Sequence, residues 1–184
     1  MENREKKEPA SGTEIEIRRG YEPGVIGRLV ELHGRYYAVA WGSGAPFEIL
    51  MARQLCDFIE SYDSSKDLVL SAHVEGVLIG GICVLGGTPH PRAAQLRFFI
   101  VDAAYQGRGA GKALLLSALE WCREHGFPEV FLWTVDNLPQ SRSLYEKTGF
   151  QVTERCPDDR YTVHRVNLKM ELTLDEACRR REAM

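Results

Sequence analysis

Residues 98–112 read Phe98-Phe-Ile-Val101-Asp-Ala-Ala-Tyr105-Gln-Gly-Arg-Gly109-Ala-Gly-Lys112, and this stretch decides the fold. Its first four residues are wholly apolar, as in a buried strand. Glycines at 107, 109 and 111 then remove every second Cβ, so the main chain can turn sharply and approach a ligand closely. From Gly109 to His125 the apolar residues Leu115, Ala118, Leu119 and Cys122 keep to one face of a helix, with Lys112, Glu120, Arg123 and Glu124 largely off it. A strand that runs through such a turn into a helix leaves free N–H groups at the helix end, where the dipole favours an anion. Phosphate oxygens bind there without many side-chain charges, and Arg108 and Lys112 add positive charge at the rim. A ligand-free turn would suit glycine at one position; three at alternate positions favour close ligand approach.

Two familiar phosphate loops do not fit. A P-loop needs Gly, four residues, then Gly-Lys-Ser/Thr, but Gln106 stands at the first Gly and Ala113 replaces the metal-binding hydroxyl. The dinucleotide fingerprint Gly-x-Gly-x-x-Gly fails because one residue, not two, separates Gly109 from Gly111.

Outward from this stretch the pattern is mixed. Thr13 to Arg18 alternates like a half-buried strand, Gly20 ends it, and Pro23 is placed to open a helix. Ile26, Leu29, Val30, Leu32 and Tyr36 recur at helical spacing, and a second helical pattern follows Pro46 through Leu50, Met51, Leu55 and Phe58. Strands are expected at 68–74 and 77–85, joined by a tight turn at Glu75-Gly76, and at 94–101 after a Gly/Pro-rich loop. Beyond the central helix, which Gly126 caps and Pro128 stops, come a strand at 129–133, a short helix at 139–147, and strands at 150–154 and 163–172. The expected fold is α/β (mixed α+β): one domain with a mostly antiparallel twisted sheet of about seven strands, flanked by about four helices. It spans residues 13–173, with a disordered segment at 1–12 and a basic tail at 174–184.

Bulk properties narrow the class. The 184 residues fit one domain, and 44% apolar and 27% charged residues are ordinary for a soluble globular protein. A net charge of −3 gives no reason to expect nucleic acid or an anionic membrane as partner. No apolar run approaches the roughly 20 residues that span a bilayer. The charged N-terminus lacks the apolar segment of a secretory signal, so a cytoplasmic location is the default expectation. Cysteines at 56, 83, 122, 156 and 178 show no Cys-x-x-Cys spacing, and the histidines do not cluster, so no metal is expected. Cys83 and Cys122 read as small core residues.

Gln106-Gly-Arg-Gly109-Ala-Gly111 after an apolar strand fits the pattern Gln/Arg-x-x-Gly-x-Gly/Ala, and Leu144-Tyr145-Glu-Lys-Thr-Gly149-Phe150 forms a second signature one helix and one strand later. In both motifs, and in element order from Ile15 to about Leu172, the chain resembles the GNAT superfamily of N-acetyltransferases. The stretches His33-Gly-Arg-Tyr-Tyr37, Phe98-Phe-Ile-Val101 and Leu132-Trp-Thr134 are similar to a GNAT subgroup sometimes fused behind a MarR-type DNA-binding domain, and the residues before Thr13 are too few for such a domain.

The resemblance implies acetyl-CoA as co-substrate, held by Gln106, Gly107, Arg108, Gly109, Ala110, Gly111 and Lys112. It also implies direct attack by an amine, with the acetyl carbonyl taken by backbone amides at Phe99, Ile100 and Val101, and with Tyr145 donating a proton to the leaving thiolate. The family often has an Asn seven residues before that tyrosine. Here that position is Leu138, so Asn137 is either a shifted substitute contacting the pantetheine or part of a turn and helix cap. The family's strand carboxylate is replaced by Gln95 and Arg97, which leaves Asp102, His33, Glu31, Glu48 or a water chain as proton acceptor. Acceptor-site candidates are His33, Arg35, Tyr36, Tyr37 and Trp41, with Arg35 suited to pair a substrate carboxylate. The acceptor expected is a primary amine of a small molecule: an amino acid, a peptide or a polyamine-like compound. An acyl-CoA sensor without turnover and a protein N-acetyltransferase stay open as alternatives. A homodimer is common in the superfamily, and no residue of this sequence demonstrates one.

Overall fold

The computed structural model describes residues 14–158 and 165–174; the expected N-terminal segment, the tail beyond 174 and the start of the last strand lie outside the described residues. The elements are β1 (Glu16–Arg19), α1 (Val25–Trp41), α2 (Ala45–Glu60), β2 (Leu68–Val74), β3 (Val77–Gly86), β4 (Ala93–Val101), a 3-10 turn (Ala103–Tyr105), α3 (Ala110–Glu124), β5 (Glu129–Val135), α4 (Pro139–Lys147), β6 (Gln151–Asp158) and β7 (Arg165–Thr173). They form one seven-stranded sheet in the order β1-β2-β3-β4-β5-β7-β6. Every neighbouring pair is antiparallel except β4 and β5, which the crossover through α3 makes parallel.

Alternation along the strands builds a core on each face. On β2, Leu68, Leu70, Ala72 and Val74 pack with Leu114, Leu115, Ala118 and Cys122 of α3. Val69 of the same strand points the other way, into a second core with Leu29 and Leu32 of α1 and Leu55 and Phe58 of α2. A strand buried on both faces reads as a continuous apolar run, and β2 is buried at all seven positions. Cys83 and Cys122 are both fully buried, one in each core.

Two local readings need correction. Pro23 does not open α1: Gly24, at φ 93°, is the N-cap and Val25 the first helical residue, so the proline lies in the preceding turn. The strand read as ending at Trp133 continues to Val135 because β7 pairs with it as far as Val135↔Asn167. That partner is remote in sequence, so local pattern does not reveal it. Among the described residues no helix is long and apolar enough to cross a membrane.

Candidate active site

β4 and β5 pair only from Ala93↔Glu129 to Leu96↔Leu132, and then part. A bulge on the other edge of β4 coincides with the parting. Arg97 pairs with Cys83 and Ile100 with Gly81, so Phe98 and Phe99 together oppose the single residue Ile82. Phe98 takes up the extra residue at φ 52°, a conformation costing a bulky side chain on the order of 1–3 kcal/mol. The bulge also reverses which positions face which core. Ala94 and Leu96 pack toward α3, whereas Phe98 and Ile100 join the α1/α2 core. Arg97 and Phe98 therefore lie on the same side, with the guanidinium 4.7 Å over the Phe98 ring.

The gap between the strands holds two adjoining cavities that share Tyr37, Phe99, Leu138 and Ser141 as walls. The first, about 290 Å³, is bounded by Phe99, Ile100 and Val101, by Gln106, Gly107, Gly109, Gly111 and Lys112, and by α4 through Leu144. The loop is built to present main chain. Gly109 is the N-cap of α3 at φ 94°, and a Cβ there would meet nothing within 4 Å, so its surroundings are open. The first helical bond runs from the Ala113 N–H to the Gly109 carbonyl (2.9 Å), which leaves the amides of residues 110–112 at the helix end. Ala110 is buried and anchors that end in the core.

The loop's side chains serve several tasks. Gln106 donates from Nε2 to the Val101 carbonyl (3.0 Å), tying the loop to the splayed strand. Arg108 lies 5.3 Å over the Tyr105 ring, and Lys112 lines the cavity. Asp102 accepts from the Ala104 N–H (3.0 Å) and from Arg28 Nη2 (2.6 Å), so it caps the 3-10 turn and pins α1 to the loop. An open backbone cradle, a helix N-terminus and a nearby lysine fit a diphosphate.

The second cavity, about 480 Å³, lies between α1, α2, β4, β5 and α4. His33, Tyr37, Trp41 and Tyr145 all line it, and Tyr36 lines the first. Tyr37 packs against Trp41 with ring centroids 4.0 Å apart at a 30° tilt and meets the edge of Phe47 at 4.9 Å, giving an aromatic wall. Tyr145 is only 7% exposed, and burial, reinforced by Tyr37, pushes its phenol well above the ordinary value. It therefore stays a neutral donor at physiological pH. His33 Nδ1 lies 2.8 Å from the Leu29 carbonyl, which can only accept, so Nδ1 carries the hydrogen and Nε2 a lone pair. Burial lowers its pKa to about 4, offset only partly by that bond.

Other predicted residues lie elsewhere. Arg35 is 78% exposed, bridged to Glu31 at 2.9 Å, and walls neither cavity. Glu31 is also held by Arg28 (2.9 Å), and these contacts keep its carboxyl below the usual range. Glu48 is exposed and lines neither cavity. Asn137 is exposed too; the adjacent Leu138 is buried, lines both cavities and is the N-cap of α4, with no side-chain cap bond. Sequence reasoning missed Gln54, whose signal was the stripe Phe47, Met51, Gln54 along one face of α2.

A splayed parallel pair, a bulge beside it and a glycine loop capping the next helix together frame one open cleft. The Acetyltransferase (GNAT) family matches residues 26–150, more than half of the chain. The chain belongs to the GNAT family. N-acetyltransferase family 8 member 2 of Rattus norvegicus is 30% identical over 102 residues, covering 54% of this chain and 45% of that protein. Glucosamine 6-phosphate N-acetyltransferase of Trypanosoma brucei brucei is 41% identical over 56 residues, covering 30% of this chain and 36% of its own length. The chain spans about half, or less, of the length of the curated relatives it matches. Among solved structures, YncA of Salmonella typhimurium with its cofactor acetyl-CoA superimposes at TM-score 0.72, with 20% identity over 88% of this chain and 95% of that one. A ribosomal-protein-alanine N-acetyltransferase from Brucella melitensis also gives 0.72, at 18% identity over 86% and 99% of the two chains. At such identities the likeness establishes the GNAT fold.

Proposed function

We propose that this protein transfers the acetyl group of acetyl-CoA to a primary amine of a small molecule by direct attack. The observation that carries this reading is the meeting of the two cavities at Tyr37, Phe99, Leu138 and Ser141, with Tyr145 beside Phe99 in the wall of the second. Acetyl-CoA supplies an activated thioester carbonyl. The amides at the start of α3 hold the diphosphate, with Lys112 alongside. Main-chain N–H groups of Phe99 and Val101, on the edge of β4 that β5 leaves, donate to the carbonyl oxygen as it gains charge, a contribution of about 100- to 1000-fold per donor in comparable sites; Ile100, paired with Gly81, turns its N–H toward β3.

Proton handling falls to two residues. His33, neutral at physiological pH, presents Nε2 as acceptor for an amine N–H, while Tyr145 donates its phenolic proton toward the departing sulfur. His33 is too weak a base to strip an ammonium ion outright, so the amine enters as its free base and the rate rises with pH toward the amine's own pKa of about 10. The test is a broad amine panel with thiol detection of released CoA. Amine-dependent release is expected, and its absence with every amine would overturn the reading in favour of an acyl-CoA-binding module.

A further inference from the structure

The second cavity is lined by an arginine and by no carboxylate among the described residues. That arginine, Arg97, stands where the resemblance led us to look for an acid. Its placement follows from the regular alternation of β4 before the bulge: Ala94 and Leu96 face α3, so Gln95 and Arg97 face the other side, where Arg97 reaches Gln54 of α2.

Arg97 differs from the ion-paired arginines of the molecule. Arg18, Arg19, Arg28, Arg35 and Arg142 each have a carboxylate within 4.0 Å. Arg97 has none among the described residues; Nη2 donates to the neutral Gln54 Oε1 (2.9 Å), and the guanidinium rests on the Phe98 ring. Desolvation lowers its pKa, yet an arginine stays charged at any physiological pH. A half-buried cation without a counter-ion is costly to a fold unless something supplies the charge. A planar guanidinium with donors to spare matches a carboxylate.

The rest of the wall narrows the ligand further. Tyr37, Trp41, Phe47 and Trp133 give the cavity ring-sized apolar surfaces, and His33 Nε2 is an acceptor. A polyamine would meet a like charge at Arg97 and no acid to pair with.

We propose that the acceptor is an amine that also bears a carboxylate and a large apolar or aromatic group, as in an aromatic α-amino acid, with Arg97 as the carboxylate receptor. This rests on the acetyltransferase reading of the same site. A carboxylate is preferred to a phosphate monoester because one guanidinium, helped only by neutral Gln54, balances a single negative charge.

The experiment pairs ligands with and without the carboxylate: phenylalanine with phenylalaninamide, and tryptophan with tryptamine, together with spermidine and phosphoethanolamine, each rate being expressed per free-base amine. CoA release gives kcat/KM for each, and calorimetry in the presence of CoA gives binding independently of turnover. The full chain is expected to favour each acid over its uncharged partner at least 10-fold and to ignore spermidine. Arg97→Gln should lower kcat/KM for the acids about 50-fold while leaving tryptamine within about 3-fold, and Arg97→Glu should reverse the preference. Equal or better turnover of tryptamine or spermidine by the wild type would overturn the proposal and leave the acetyltransferase reading intact. So would preference for phosphoethanolamine, or an Arg97→Gln loss that falls equally on acids and amines. Amino-acid binding that depends on Arg97 without any CoA release would sustain the receptor and overturn the catalytic reading. Neither binding nor release would overturn both.

Discussion

The cavities on either side of Phe99 are built by opposite means. The first is a main-chain site: the N-cap Gly109 and the amides of residues 110–112, on a helix whose own face is buried in the larger core. The second is a side-chain site, assembled from residues on α1, α2, β4, β5 and α4. Main chain offers the same donors whatever the side chains, so one such loop serves any reaction that needs the same coenzyme. A wall of side chains is free to diverge, and there specificity resides.

The contrast predicts a descending series of effects. The largest should come from placing side chains and negative charge in the main-chain site. Gly109→Glu combined with Gly111→Glu is expected to weaken CoA binding more than 100-fold in calorimetry. Gly109→Ala separates strain from charge. Its Cβ meets no atom within 4 Å, but φ 94° disfavours it by about 1–2 kcal/mol, so the melting temperature should fall while much of the affinity survives.

Next comes the boundary between the sites. Tyr145→Phe should lower kcat by roughly 10- to 100-fold with little change in KM or coenzyme affinity, because the hydroxyl acts only as sulfur departs. An equal rise in KM would instead make Tyr145 a ground-state contact.

The acceptor wall also predicts a pH dependence of stability. His33 has its ordinary value of 6.5 in the unfolded chain and about 4 in the fold, so the unfolded state binds more protons between those limits. Stability from keeping this ring neutral is therefore present above 6.5 and lost as pH falls toward 4, by roughly 3 kcal/mol at most. Urea melts of wild type and His33→Phe should differ in slope across that window and run parallel above it. The smallest effect belongs to Arg35, an exposed residue bridged to Glu31: Arg35→Ala should cost less than about 1 kcal/mol and change no substrate preference.

The two sites were also unequally legible in the sequence. The loop is contiguous, so its glycines, the strand before it and the helix after it were read from residues 98–125 alone. The seven strands were legible as short alternating or continuously apolar runs bounded by turn residues. The bulge at Phe98 was not legible: it depends on Gly81 and Cys83 of β3, and it breaks the very alternation by which a strand is recognised. Arg97 precedes that break and lines the second cavity by the alternation it shares with Gln95, whereas Arg35 lines neither cavity. Arg35 lies in a suggestive cluster of aromatics, but the helix carries it to the outer face.

The central claim is that main-chain amides at the start of α3 carry the coenzyme's diphosphate, and comparing affinity for CoA with that for pantetheine, which lacks the diphosphate and the nucleotide beyond it, in the wild type and in a variant of the loop tests it most directly. The account predicts that the wild type binds CoA at least 100-fold more tightly, and that the Gly109→Glu/Gly111→Glu variant, still folded by circular dichroism, loses nearly all of that difference. Equal affinity of the wild type for the two ligands, or a difference undiminished in the folded variant, would contradict it.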